Sequence, residues 1–177
     1  MQIHVLSDFV PQHQLNSINE FINSNPSSSG TAATDANVVY YARQEILNEN
    51  PFIAGVISLV SDKVRLSAEK LFDYRLGESG VLIAKTMVGH IPEEHADSQN
   101  MDGTPKPGCA DFLVSAVVYI NDDFEGGELV FPKIKYSYKP VAGSCIMFPS
   151  NIEYSHYVAD VISGTRVVLP FWFPKYE

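Results

Sequence analysis

Apolar residues recur along this chain with two different periods, and the change from one to the other divides it. Gln2 to Leu6 alternate polar and apolar, predicting a short strand, and Pro11 then suits the start of a helix. Leu15, Ile18, Phe21 and Ile22 follow at helical spacing and form one apolar stripe. From Asn25 to Asp35 the chain turns to Pro, Ser, Gly, Thr and Ala, which predicts a mobile surface loop. Asn50 to Tyr74 is the longest helical candidate: Pro51 fits a first turn, and Ile53, Val56, Val60, Val64, Ala68 and Leu71 step by three and four toward a sheet. Beyond Gly77 and Gly80 come short runs rich in Val, Ile, Phe and Tyr, at 81–88, 112–120, 128–131, 144–148, 156–161 and 165–173. Helices first and many short strands after predict a mainly β fold with supporting α-helices, a sandwich or barrel rather than βαβ units.

Composition narrows this. With 177 residues and 45% hydrophobic content the chain can bury one sizeable core. A single domain is expected over 1–177, with helical support to about residue 78 and the β core from about 79. The formal net charge of −9 excludes the basic footprint of a nucleic-acid binder. No apolar run is long enough for a membrane span, and Met1 to Val10 do not resemble a signal peptide, so a soluble cytoplasmic protein is expected. Cys109 and Cys145 lack metal-site or disulfide spacing and are expected as reduced thiols.

The candidate chemistry starts at His95 and Asp97, two possible metal ligands one residue apart. On an extended strand, residues i and i+2 share a face and can reach one ion. His156 would arrive from a later strand. Two imidazoles and one carboxylate on one face of an octahedron leave three positions open, the arrangement of non-haem Fe(II) centres that activate oxygen. Each residue alone has an ordinary reading as a solvated loop or a core histidine. Arg166 shifts the balance: in the run Arg166, Val168, Pro170, Trp172 it shares the inward face, where a guanidinium needs a carboxylate partner. A planar fork of donors is suited to one end of a dicarboxylate. His4, His13 and His90 have no partner pattern and are read as non-ligands. Residues 98–111, with Asp102, Gly103, Pro105, Pro107 and Gly108, predict a loop that could form a lid or a substrate contact, or simply join two strands.

The C-terminal half resembles the Fe(II)- and 2-oxoglutarate-dependent dioxygenases, and among them the prolyl 4-hydroxylase-like group. The resemblance rests on His95-Ala96-Asp97, the run from Tyr119 to Phe131 with Gly126-Gly127, Gly143, Phe148-Pro149-Ser150, His156 with Val158, Gly164-Thr165-Arg166, and Trp172. It implies a double-stranded β-helix, or jelly roll. His95, Asp97 and His156 then match the iron ligands, Arg166 pairs with the distal carboxylate of 2-oxoglutarate, Tyr119 helps to bind that carboxylate, and Trp172 forms an aromatic wall. Many prolyl hydroxylases carry a tyrosine nine or ten residues before the first ligand. Here Thr86 stands there, with Lys85 as the other candidate.

The resemblance implies Fe(II), 2-oxoglutarate and O2 as cofactor and co-substrates, with ascorbate as an accessory reductant. Oxidative decarboxylation of 2-oxoglutarate to succinate and CO2 would be coupled to hydroxylation of a C–H bond, foremost that of a prolyl residue in a peptide or protein. A ligand carboxylate at Asp97 favours hydroxylation over halogenation. Three alternatives stay open: a hydroxylase of free amino acids or other small metabolites, a non-catalytic jelly-roll binding module, and a zinc hydrolase, which would give Arg166 no task.

Overall fold

The computed structural model describes residues 2–24, 36–80 and 82–177; the loop expected at 25–35 and the first residue of the run expected at 81–88 lie outside them. Central strands that are apolar and buried on both faces set the architecture of one long sheet. That sheet has six strands in the order β1-β8-β4-β11-β3-β2, all neighbours antiparallel. In chain order they are β1 (His4–Leu6), β2 (Val38–Ala42), β3 (Leu82–Met87), β4 (Phe112–Tyr119), β8 (Cys145–Pro149) and β11 (Thr165–Pro174). The intervening strands β5 (Glu125–Gly126), β6 (Leu129–Phe131), β7 (Tyr136–Tyr138), β9 (Tyr157–Val158) and β10 (Val161–Ser163) form two small sheets, β7-β6-β9 and β10-β5.

The central strands of the large sheet divide their residues between two cores. Val167, Leu169, Phe171 and Phe173 of β11, with Val114, Ala116 and Val118 of β4, pack against the helices. Val168, Val117, Tyr119, Ile146 and Phe148 face the other way and meet Leu129 and Phe131 of β6. The second core, between large and small sheets, is the interior of the jelly roll.

The helical layer follows its apolar stripes, and a short helix, α2 (Arg43–Glu49), joins β2 to the longest one. In α1 (Gln12–Ser24) the buried residues are Leu15, Ile18, Phe21 and Ile22, as the spacing predicts. In α3 (Pro51–Phe72) the Asn50 side chain caps the first turn by accepting from Ile53 N at 3.2 Å, and Pro51 occupies a position where no amide is required. Asp73 closes the helix in the left-handed conformation, φ 56°. Leu71 departs from expectation, since it lies off the buried face and is 36% exposed.

The sequence pattern does not resolve β2, β5 or β7 and reaches β10 only at Val161; β5 and β7 are only two and three residues long, too short for any periodicity to register. β1 and β2 come from the helical half and form the two edges of the large sheet. Among the described residues no helix is long and apolar enough to cross a membrane.

Ile57 lies fully buried at the centre of the α3 stripe. Replacing Ile57 with Ala should cost about 2–5 kcal/mol in urea denaturation, with metal affinity retained because the helix lies behind the sheet and not in the site.

Candidate metal and 2-oxo acid site

The metal-ligating candidates meet, but not on strands as expected. His95 lies in a connecting segment and His156 follows a 3-10 turn, Ile152–Tyr154. Backbone pairing brings them together: His95 N donates to His156 O at 3.0 Å, and His156 N returns the bond to His95 O at 2.8 Å. This isolated antiparallel bridge places the two rings with centroids 4.6 Å apart. His95 Nε2 and His156 Nε2 each lie 3.9 Å from an oxygen of Asp97, and one ligand atom from each residue falls within 4.8 Å of the others. Such spacing brackets a single ion.

Both imidazoles are set to bind metal through Nε2. His95 Nδ1 donates to Glu93 O at 2.9 Å and His156 Nδ1 donates to Tyr154 O at 3.0 Å. A carbonyl can only accept, so each proton resides on Nδ1 and each Nε2 lone pair faces the gap. Burial pushes the His156 imidazolium below the ordinary histidine range, Asp97 opposing and His95 adding to the effect, which favours the neutral form a metal needs. Phe131 and Phe148 flank the ring at 5.5 and 4.8 Å between centroids and hold its plane.

Asp97 is oriented by a serine relay that sequence reasoning missed. Ser150 Oγ lies 2.8 Å from Ser115 Oγ, which donates to Asp97 Oδ2 at 2.6 Å. All three residues are buried. The available signal was Ser115 itself, a hydroxyl within the otherwise apolar strand β4. The loop at 98–111 supports this region and supplies no lining residue to the cavity. Ser98 N and Oγ both donate to Ser150 O, and Gln99 Oε1 accepts from Ile152 N at 2.7 Å.

The triad opens into a cavity of about 300 Å3, lined also by Thr86, Arg166, Val168, Pro170 and Trp172. The inward alternation of β11 therefore holds. Arg166 is 3% exposed, directly across from Thr86 in the β3–β11 register. Its Cζ stands 5.2 Å above the ring of Tyr119. None of the ion pairs among the described residues includes Arg166, and both its Nε and the Tyr119 hydroxyl are buried without a hydrogen-bond partner. Burial raises the Tyr119 hydroxyl to about 12, with the Arg166 charge pulling the other way, so it remains a phenol able to donate. Tyr119 is not among the residues lining the cavity; its ring packs against the Arg166 guanidinium. Lys85 is also absent from the wall, since alternation turns it to the opposite face from Ala84 and Thr86. Gly127, at φ 67°, makes room for the arginine: a Cβ there would come 2.9 Å from Phe124 Cε2 and 3.1 Å from Arg166 Cδ.

A buried guanidinium with no carboxylate of the chain beside it fits an incoming carboxylate, and two Nε2 atoms with a carboxylate fit Fe(II). Comparison with known proteins agrees. Residues 82–174 match the 2OG-Fe(II) oxygenase superfamily. The chain belongs to that family. Its members take their name from Fe(II) and 2-oxoglutarate, which with O2 are the cofactor and co-substrates of this enzyme class. Over 64 residues the chain is 42% identical to human prolyl 3-hydroxylase 2, a match covering 33% of this chain and 9% of that protein. Over 99 residues it is 32% identical to a PKHD-type hydroxylase of Prochlorococcus marinus, covering 55% of this chain and 42% of that one. The matches thus span less than half of these relatives. The fold is that of the viral collagen prolyl hydroxylase of Paramecium Bursaria Chlorella virus-1, solved with 2OG, at a TM-score of 0.72 and 18% identity over 100% of this chain and 97% of that one.

Ser115→Ala removes the donor to Asp97 and should weaken Co(II) binding at least tenfold in spectrophotometric titration. Unchanged affinity would mean the relay does not orient the carboxylate.

Proposed function

We propose that the chain is a 2-oxoglutarate-dependent hydroxylase of prolyl residues in a peptide or protein, with His95, Asp97 and His156 as iron ligands. The observation that carries the 2-oxo acid part is Arg166, buried on the wall of the triad's cavity without an ion-pair partner, its Nε and the hydroxyl of the Tyr119 ring under it both without a hydrogen-bond partner. The names of the relatives support the prolyl part, and exposure supports the peptide part. The His95 side chain is 47% exposed and Ile91, on the cavity rim, is 73% exposed. The metal face is therefore open to a long substrate, where a metabolite enzyme would be expected to enclose it.

When bound, Fe(II) and 2-oxoglutarate would, with O2, supply an oxidant for the substrate C–H bond, one oxygen atom going to the new hydroxyl and the other to succinate, with CO2 released. The chain's own residues bind and orient. His95 and His156 offer Nε2, and Asp97, held by Ser115, offers a carboxylate that offsets the metal's charge. Arg166 and Tyr119 fix the distal carboxylate, with Thr86 and its hydroxyl across from Arg166 in place of the family tyrosine. Trp172, Val168, Pro170 and Leu129 supply apolar walls that exclude water. The two cysteines are unpaired, which suits a reducing compartment such as the cytoplasm.

Incubation with Fe(II), 2-oxoglutarate, ascorbate and proline-containing peptides should give succinate and a peptide heavier by one oxygen. Succinate formation that no peptide stimulates would contradict the peptide reading. Arg166→Leu should raise KM for 2-oxoglutarate by tenfold or more, and Arg166→Lys should recover part of the loss, since it restores the charge without the fork.

A further inference from the structure

Four buried side-chain nitrogens and oxygens among the described residues have no hydrogen-bond partner: Arg65 Nε, His90 Nδ1, the Tyr119 hydroxyl and Arg166 Nε. Arg65 is on α3, outside the cavity. Tyr119 and Arg166 are donors suited to a carboxylate. His90 is left over. It is 6% exposed, lines the same cavity, and follows β3 in a turn closed by His90 N donating to Met87 O at 3.3 Å.

The chemistry of this ring follows from its one partner. His90 Nε2 lies 3.2 Å from Val158 O, and because a carbonyl can only accept, the ring proton is on Nε2. Nδ1 is therefore a bare lone pair, an acceptor without a donor. 2-Oxoglutarate has no donor to offer, since at neutral pH its two carboxylates and keto group are all acceptors. What satisfies Arg166 and Tyr119 thus leaves His90 unsatisfied, and a buried acceptor left so is unfavourable.

We infer that His90 is a substrate-positioning residue whose Nδ1 accepts a hydrogen bond from an N–H of the substrate. This rests on the prolyl-peptide reading for the identity of that N–H. A proline within a chain has none, so the donor is the backbone amide of a residue flanking the target. His90 then makes the enzyme select prolines with a non-proline neighbour, and it discriminates against runs of proline.

The test uses the full chain with Mn(II) in place of Fe(II), so that no turnover occurs. Trp172, the single tryptophan, lines the cavity, and its fluorescence reports binding. The probes are an alternating Pro-Ala peptide, an oligoproline of equal length with both ends capped without N–H groups, and free L-proline. Wild type should bind the Pro-Ala peptide about 5- to 10-fold more tightly than the oligoproline. His90→Gln keeps a donor for Val158 O while its one acceptor, Oε1, is displaced from the Nδ1 position, so the preference should fall away. His90→Asn keeps an acceptor near the Nδ1 position and should retain part of it. Thermal unfolding of both variants verifies that they fold.

Equal binding of the two peptides by wild type overturns the inference. A silent His90→Gln with a damaged His90→Asn also does, because the ring would then only brace Val158. A loss that falls on 2-oxoglutarate affinity does so as well. If wild type binds L-proline but neither peptide, the peptide reading fails separately: weaker L-proline binding by His90→Gln then supports the acceptor role, and no change overturns it. Binding of none of the three probes overturns it too.

Discussion

Arg166 is a charge the chain buries without a partner of its own, and the strand that carries it cannot move aside. β11 is hydrogen-bonded to β3 on one side and β4 on the other, and its opposite face packs Val167, Leu169, Phe171 and Phe173 against the helices. Turning the guanidinium out to water would disrupt that packing. A buried charge in a rigid setting has to be met by something that arrives. Its surroundings fit this role: Gly127 gives the side chain room, Tyr119 lies beneath it, and Thr86 stands across from it.

At the other end of the cavity the metal-ligating candidates are built differently. They sit on connecting segments, tied by reciprocal backbone bonds between His95 and His156 and by the serine relay to Asp97. Each imidazole proton is occupied by a carbonyl of a neighbouring residue. The rigidity comes from hydrogen bonds specific to each ligand rather than from a regular ladder. A rigid anchor at Arg166 and a tethered triad define a site with two ends, one suited to a distal carboxylate and the other to a metal.

Much of this was legible in the sequence. The helices at Leu15–Ile22 and in α3 appear as apolar stripes, and the inward face of β11 follows from counting the two-residue period of a strand from Arg166 to Trp172. The resemblance, carried by motifs that keep their order, pointed to the jelly roll. What stayed hidden had physical reasons. His95 and Asp97 looked like a strand pair because i, i+2 spacing is the same in a strand and in a single bridge. Ser115 reads as one polar exception in an apolar strand until the fold places Asp97 beside it. His90 has no motif at all. Its role depends on Val158, 68 positions away, taking one nitrogen and leaving the other bare.

The most direct test of a two-ended site compares ligands that differ only at the far end. With Mn(II)-loaded protein, calorimetry would measure the affinities of 2-oxoglutarate and of 2-oxobutyrate, which has the metal-chelating end but no distal carboxylate. The account predicts at least tenfold tighter binding of 2-oxoglutarate, from charge-assisted hydrogen bonds to Arg166 and Tyr119. Equal affinities would contradict it.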